Sequence, residues 1–486
     1  MGWKEAAEPV LTRMPTVRRP EGHVPFKRKL MWTGAILVLY FFLTNITLLG
    51  MAEGGDDLFG EFRAILAGEQ GSVLQVGIGP IVTASIVLQL LGGANLLGLD
   101  TNDPRDQVLY QGLQKLLVIV MTALTAAPMV FAGEGFLPPA QELVLGSLTF
   151  GQTGVQTIMF LQIFIGGVLI LYMDEVVSKW GVGSGVGLFI VAGVSQMLVA
   201  GFLSLEQGDG FFYNWWLILT GEIQIGSIVG GDGLYTLLVS EGMILALLTT
   251  LLIFAIVVYA ESVRVEIPLS HSRVKGARGR FPVKLIYASV LPMILVRALQ
   301  ANIQFMGRIA DSQTTLPSAL GTYSDGEPVG GFFYYTAPIY SPDDWMWWEA
   351  GVTQEAWQVL LRLSVDLTFM VIGGAIFAIF WVETTGMGPD ATAKQIQNSG
   401  MQIPGFRQNV GVVEKVMERY IPQVTVIGGA LVGLLAVWAN MLGTIGAVTG
   451  TGLLLAVSIT YKLYEEIAEE QMMEMHPMMR QMFGKE

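Results

Sequence analysis

The sequence predicts an all-α polytopic membrane protein with about ten transmembrane helices in two five-helix halves. Three observations carry that prediction. The 486 residues are 52% hydrophobic and only 14% charged, with a mean hydropathy of +0.55, whereas soluble domains carry about 25% charge. Apolar runs of about 20 residues with few or no charges, the length that crosses a bilayer, recur along the whole chain. Lysine and arginine crowd into alternate connections, as the positive-inside bias requires.

The runs fall near 30–50, 73–92, 111–131, 155–173, 184–204, 239–260, 285–306, 361–381, 421–442 and 447–466. They divide the chain into an N-terminal arm (1–29), an N-terminal half (30–204), an acidic, Gly-rich hinge loop (205–238), a C-terminal half (239–466) and a tail (467–486). Bases lie in the arm (Lys4, Arg13, Arg18, Arg19, Lys27, Arg28, Lys29) and in the connections 261–284 and 383–420. The alternate connections carry acids instead, such as Glu53, Asp56, Asp57 and Glu61. The loop 307–357 holds Asp311, Asp325, Glu327, Asp343, Asp344, Glu349 and Glu355 against Arg308. This alternation puts both termini in the cytoplasm, which agrees with an even number of spans. An internal pseudo-symmetry of halves is common in transport folds, with the pathway at their interface.

Net charge is −13, from 40 acids against 27 bases. Acidic outer loops poor in lysine suit a protein bathed in concentrated salt, where charges are screened within about 3 Å at 1 M. The chain has no cysteine, which excludes disulfides and thiolate metal sites. Its three histidines, His23, His271 and His476, lie far apart, so no metal or other cofactor is expected. The first apolar run follows a polar arm and is too long for a signal-peptide core.

The most informative stretch is Gly71–Gly92, GSVLQVGIGPIVTASIVLQLLG. It is uncharged and long enough to span, yet Gly71, Gly77, Gly79 and Pro80 break its first half. Such breaks are tolerated at membrane depth only where the freed backbone faces protein or a water-filled cavity. Upstream lies a short amphipathic segment, Asp56–Ala67, between Gly54-Gly55 and Gly68. A short half-buried helix feeding a broken span suggests a plugged pore.

No motif points to an enzyme. GVGSGVG (181–187) opens a span and lacks the strand and the Lys-Ser/Thr pair of a phosphate cradle. Ser184 has no intramembrane histidine to serve as its base. Asp174 and Glu175 are adjacent acids at a span end, where a solvated helix terminus is the simpler reading than a catalytic pair. Arg297 and Asp366 lie within spans; intramembrane charges are functional suspects, and the alternatives are pairing between helices or snorkelling of Asp366. Ile78 and Val82, and again Val186 and Ile190, stand four apart on helix faces. Such pairs are ordinarily core or lipid contacts, but an apolar constriction also gates by dewetting.

GIGPIVTASIVLQLL (77–91), YQGLQKLL (110–117), GVGSGVGLFIVAGVSQ (181–196), IPLSHSRVKGARGRFPVKLIY (267–287), LPMILVRALQANIQ (291–304), IPGFR (403–407) and GTGLLLAVSITYKLYE (450–465) occur in that order. Together they resemble the SecY family, the channel subunit of the Sec protein translocase, and most resemble its archaeal branch. The resemblance covers nearly the whole chain. It implies an hourglass pore with a plug and a lateral gate that opens to lipid. Unfolded secretory chains would cross the cytoplasmic membrane through the pore, and transmembrane segments would leave through the gate. Carried over by position, it puts the pore ring at Ile78, Val82, Val186, Ile190, Ile294 and Leu455. The plug falls at about 55–68, with Asp57, Leu58, Phe59, Phe62, Ile65 and Leu66. The spans at 73–92 and 285–306 become the gate helices, with Thr83, Asn302 and Thr125 as the polar gate cluster. Thr125 departs from the family, where Gln or Glu is usual. Arg273, Lys275, Arg278, Arg280 and Arg407 fall in cytoplasmic loops that dock the ribosome in the family; positive-inside bias explains the same charges without it. The implied partners are SecE-type and Sec-beta-type small subunits, the ribosome with its nascent chain, and lipid, but not DNA. The chief alternative is an ion-coupled secondary transporter of a small solute. It needs polar ligands at the midplane beside broken helices, where this sequence has aliphatic residues. An embedded enzyme is a distant third.

Overall fold

The computed structural model describes residues 3–22, 24–52, 62–93, 97–99, 104–131, 137–145, 148–205, 210–226, 232–271, 278–284, 286, 291–313, 316–324, 327–348, 354–385, 387–398, 401–402, 410–446 and 448–475. Each expected span holds a helix. In the first half these are α1 (Phe26–Thr44), α2 (Gly79–Gly93), α3 (Pro104–Phe131), α4 (Gln152–Trp180) and α5 (Gly185–Leu203). In the second they are α6 (Ile244–Ser262), α7 (Leu291–Gln313), α8 (Ala356–Thr384), α9 (Val410–Leu442) and α10 (Gly450–Met475). Six of them, α3, α4, α5, α6, α8 and α9, are long and apolar enough to cross a membrane. Both ends of the bundle's chain meet: the Phe26 N–H donates to Glu474 Oε1 at 2.7 Å, and Lys29 pairs with Glu470.

Helix α2 starts six residues later than the apolar run, because glycines bend the chain before it. Gly71 and Gly77 have φ of +67° and +54°, a region that L side chains enter only with strain. A Cβ on Gly77 would stand 2.2 Å from the Leu66 carbonyl oxygen. The absent side chain lets the Ile78 N–H reach that same oxygen at 2.7 Å. On α4, a Cβ at Gly166 would lie 2.0 Å from the Val73 oxygen, so the bent segment rests directly on that helix.

The glycines of 181–187 serve the start of α5. Ser184 accepts from the Gly187 N–H at 3.2 Å, a standard N-cap. Asp174 on α4 accepts from the Val186 N–H at 2.9 Å, which ties the two helices at their shared turn. In the other half, Gly429 of α9 faces Gly374 of α8, where a Cβ would come within 2.6 Å of the Gly374 oxygen. Small residues allow this backbone approach, the usual device of helix packing in membranes.

The mostly helical fold agrees with the all-α expectation, and short strands occur in the polar connections. The connection after α6 is an antiparallel hairpin, Arg264–His271 with Arg278–Lys284, and Met401–Gln402 adds a third strand. Two further hairpins lie at Glu142–Leu145 with Leu148–Gly151 and at Thr322–Ser324 with Glu327–Gly330. Connections outside the bilayer can satisfy backbone groups by any pairing, so strand formation there conflicts with nothing in the spans. The hinge loop holds two helices, Phe211–Thr220 and Asp232–Leu238. The first is apolar and anchored by a buried Asn214, which donates to the Glu241 oxygen at 3.1 Å. Helix α10 runs to Met475, past the expected tail boundary at 467, since no helix breaker intervenes before Pro477.

Candidate functional site: an aliphatic constriction beside a polar seam

The aliphatic residues singled out in the sequence converge. Ile78, Val82, Ile190, Ile294 and Leu455 belong to one buried cluster, and half-buried Val186 packs against it. They come from the start of α2, from α5, from α7 and from α10, so both halves contribute. Ile78, Ile190 and Leu455 are fully buried. None of these side chains can donate or accept a hydrogen bond, so the cluster offers no fixed polar partner to anything that enters it.

A cavity opens towards each end of the bundle. At the end carrying the chain termini, about 540 Å³ is lined by Arg19, Ile81, Gln114, Lys115, Asp174 and Glu175 among others. At the opposite end, about 660 Å³ is lined by Phe62, Gln304, Tyr340, Arg362, Thr444 and Val448 among others. Both walls mix polar and apolar side chains, in contrast to the wholly aliphatic cluster.

Of the six expected plug residues, Asp57, Leu58 and Phe59 lie outside the described residues. Phe62, Ile65 and Leu66 are buried. They flank or form a short helix, Arg63–Leu66, which ends on Ala67 at φ +51°. Ile65 shares the cluster of Ile78. Phe62 and Leu66 pack instead with Ala301 and Phe305 of α7, and the Phe62 ring meets Tyr340 edge-on at 5.4 Å. Tyr40 of α1 donates to the Ala67 oxygen at 3.1 Å. The short helix therefore touches elements of both halves.

Thr83 of α2 and Asn302 of α7 meet. Asn302 Nδ2 donates to Thr83 Oγ1 at 3.0 Å, and the Thr83 hydroxyl donates back to the Gly79 oxygen at 2.9 Å. Thr125 is half-buried on α3 and takes no part in that bond. Among the expected basic residues, Arg273, Lys275 and Arg407 lie outside the described residues. Arg278 and Arg280 stand on the second strand of the hairpin, opposite Ser270 and Pro268. The root of that hairpin is tied to α10 by Glu465, which pairs with Lys284 and, at 3.2 Å, with Arg264.

The two intramembrane charges pair. Arg297 and Asp366 lie 3.1 Å apart with both side chains fully buried, so Asp366 does not snorkel. Gln300, an uncharged residue that no sequence pattern marks out, completes the group: it accepts from Arg297 at 2.7 Å and donates to Asp366 at 3.0 Å. Asp174 and Glu175 are not a solvated helix end. Asp174 holds the start of α5, and Glu175 binds Lys115 at 2.8 Å and Lys179 at 2.6 Å. Those lysines in turn donate to the Pro15 and Val17 oxygens, which straps the N-terminal arm to α3 and α4. One grouping the sequence did not suggest is Asp390, Glu414 and Glu418, whose carboxylates lie within 4.8 Å of one another.

Comparison with known proteins agrees with this architecture. A family model described as SecY matches residues 72–464, and one described as the plug domain of Sec61p matches residues 38–71. The protein translocase subunit SecY of Haloarcula marismortui is 70% identical, covering 100% of both chains. The same subunit of Haloferax volcanii is 71% identical with the same coverage. A solved structure reported as that of a protein conducting channel superimposes with a TM-score of 0.78 at 38% identity, over 97% of this chain and 98% of that one. Sec61 in the canine ribosome-channel complex from the endoplasmic reticulum gives 0.75 at 38%, with the same coverage. The acidic composition fits relatives from salt-loving archaea. With matches that run from one end of the sequence to the other, this chain belongs to the SecY family.

Proposed function

We infer that this chain forms the pore of a protein-conducting channel, and that the aliphatic cluster is its constriction. The observation that carries the reading is the convergence of Ile78, Val82, Ile190, Ile294 and Leu455 from both halves into one buried cluster, with a cavity lined by polar as well as apolar side chains towards either end. A conduit for arbitrary polypeptide cannot read side chains by fixed hydrogen bonds. An apolar collar imposes none, and it resists ions because a narrow apolar constriction dewets.

Within that reading, the segment around Arg63–Leu66 is the resting plug, and the Thr83–Asn302 bond closes the lateral gate. A bond of this kind contributes about 0.6–2 kcal/mol in a membrane, weak enough for an entering apolar helix to displace. Both termini are cytoplasmic, on the side of the basic connections. The hairpin at 264–284 and the connection 383–420 receive the ribosome, as the canine relative is found in a ribosome complex. Small SecE-type and Sec-beta-type subunits complete the channel. No step in this role requires catalysis by the chain, and the driving force comes from the partner.

The test is site-specific photo-crosslinking. A stalled secretory chain in the assembled channel should crosslink to a photoreactive residue at position 78 or 294 and not to one on the lipid-facing surface, such as position 252. Equal labelling at all three positions contradicts a central conduit.

A further inference from the structure

Helix α7 carries two kinds of contact on opposite faces. Ile294 and Arg297 lie one turn apart, and Asn302 is five residues beyond Arg297, about 140° around a helix of 3.6 residues per turn. One face therefore presents Asn302 to Thr83 of α2. The other presents Arg297 to Asp366 of α8.

The second face is a network. Arg297 Nη1 donates to Asp366 Oδ1 at 3.1 Å and to Gln300 Oε1 at 2.7 Å. Gln300 Nε2 donates to Asp366 Oδ1 at 3.0 Å and to the Thr336 oxygen at 3.1 Å. The Ile339 N–H donates to Asp366 Oδ2 at 3.4 Å. One turn further along α7, Gln304 donates to the Phe333 oxygen at 3.0 Å. From α8, Arg362 donates to the Ala337 oxygen at 3.1 Å and the Pro338 oxygen at 2.5 Å. The segment 333–339 is thus fastened to both helices, and the ion pair lies beneath it.

Stability is a poor explanation for this pair. Ion pairs with both charges desolvated gain little over apolar residues of the same volume. Here, among the described residues, Arg297 Nε and Nη2 meet no acceptor, so the network is only partly satisfied, which lowers its value further. What a buried directional pair does supply is register: α7 cannot slide or turn against α8 without parting the charges.

We propose that Arg297 and Asp366 are positioning residues for the gate: they fix α7 to α8 and to the 333–339 segment, so that Asn302 on the far face of α7, and Ile294 between the two faces, move only with the whole C-terminal half. The clamp sets how much apolar signal helix is needed to part the seam. This rests on reading Thr83–Asn302 as that seam. With the clamp replaced by packing alone, α7 yields by itself and a weaker signal suffices.

The experiment compares three full-length channels in their native membranes: wild type, Arg297→Met with Asp366→Leu, and the reversed pair Arg297→Asp with Asp366→Arg. Export of a reporter is followed as the apolar core of its signal is shortened. The apolar double variant should assemble at normal levels and export the weakened signal roughly tenfold better than wild type, within the usual range of coupling between sites. The reversed pair should restore the wild-type threshold. An unshifted threshold in the apolar variant overturns the proposal. So does its failure to assemble, since the pair is then needed for the fold and not for the gate. A separate variant, Thr83→Cys with Asn302→Cys, reads the seam. If its disulfide forms and export continues, the seam reading fails and the proposal with it; if the disulfide blocks export while the apolar variant behaves as wild type, the clamp alone is refuted.

Discussion

The two helices that meet at the Thr83–Asn302 bond are held by opposite means. Helix α2 has 15 residues and no ionisable side chain. It is placed by close backbone approach: Gly77 against the Leu66 oxygen, and the bent segment before it against Gly166 of α4. Helix α7 has 23 residues and is fastened by buried polar groups, with Arg297 fully buried. Steric fit is non-directional and fails as soon as something wedges between the surfaces. A hydrogen-bonded charge pair is directional and resists rotation as well as separation. One wall of the seam is therefore seated and the other is keyed, and an entering helix should displace the seated wall first.

The sharpest way to break that contrast is to leave one charge of the keyed wall alone. Asp366→Leu by itself strands Arg297 in a buried site, which costs about 3–5 kcal/mol. Thermal unfolding of the purified channel in high salt should show a large drop in Tm, reversed by adding Arg297→Met. A single variant as stable as wild type contradicts the burial of the pair.

The seated wall should respond next. Gly77→Ala forces a side chain into a left-handed conformation, about 1–2 kcal/mol by itself, and pushes a Cβ to 2.2 Å from the Leu66 oxygen. Backbone must shift, so the short helix Arg63–Leu66 moves off Ile78. Resting ion conductance in planar bilayers should rise, with global stability reduced less than by Asp366→Leu. Unchanged conductance means that the short helix does not contribute to the seal.

What the sequence displayed of each wall differs in the same sense. The break before α2 was readable, because Gly71, Gly77, Gly79 and Pro80 act locally on the backbone. The alternating Lys/Arg bias and the apolar runs gave the spans for the same local reason. Arg297 and Asp366 stood out as intramembrane charges, but their pairing spans 69 residues of sequence and no local pattern encodes it. Gln300 went unnoticed for want of a charge. Asp174 looked like a span terminus, and its hydrogen bond to the start of α5 depends on a turn that only the fold closes. The hairpin at 264–284 was hidden in a basic connection whose charge suggested topology but not shape. Thr83 and Asn302, 219 residues apart, were legible only through family resemblance, since a lone Thr and Asn in apolar runs carry no signal of their own.

The smallest expected effect tests the bond between the walls. Asn302→Leu removes the donor to Thr83 while keeping a side chain of similar bulk. The loss is about 0.6–2 kcal/mol, and Thr83 keeps its donation to the Gly79 oxygen at 2.9 Å, so no buried group is left wholly unmatched. The fold should be unaffected in Tm. The balance between closed and open seam should shift, because an apolar contact on α7 is one that a signal helix or a lipid tail can replace without penalty, whereas the polar pair favours its own partner over either. Signals somewhat shorter in their apolar core should then be exported, by a factor of a few, far less than the clamp variant allows. If the Leu variant keeps the wild-type threshold while the clamp variant shifts it, the seam is held by the position of α7 and the bond across it is incidental. If both shift and their effects in combination exceed the sum, the two faces of α7 act on one motion, which is the behaviour expected of a keyed wall closing against a seated one.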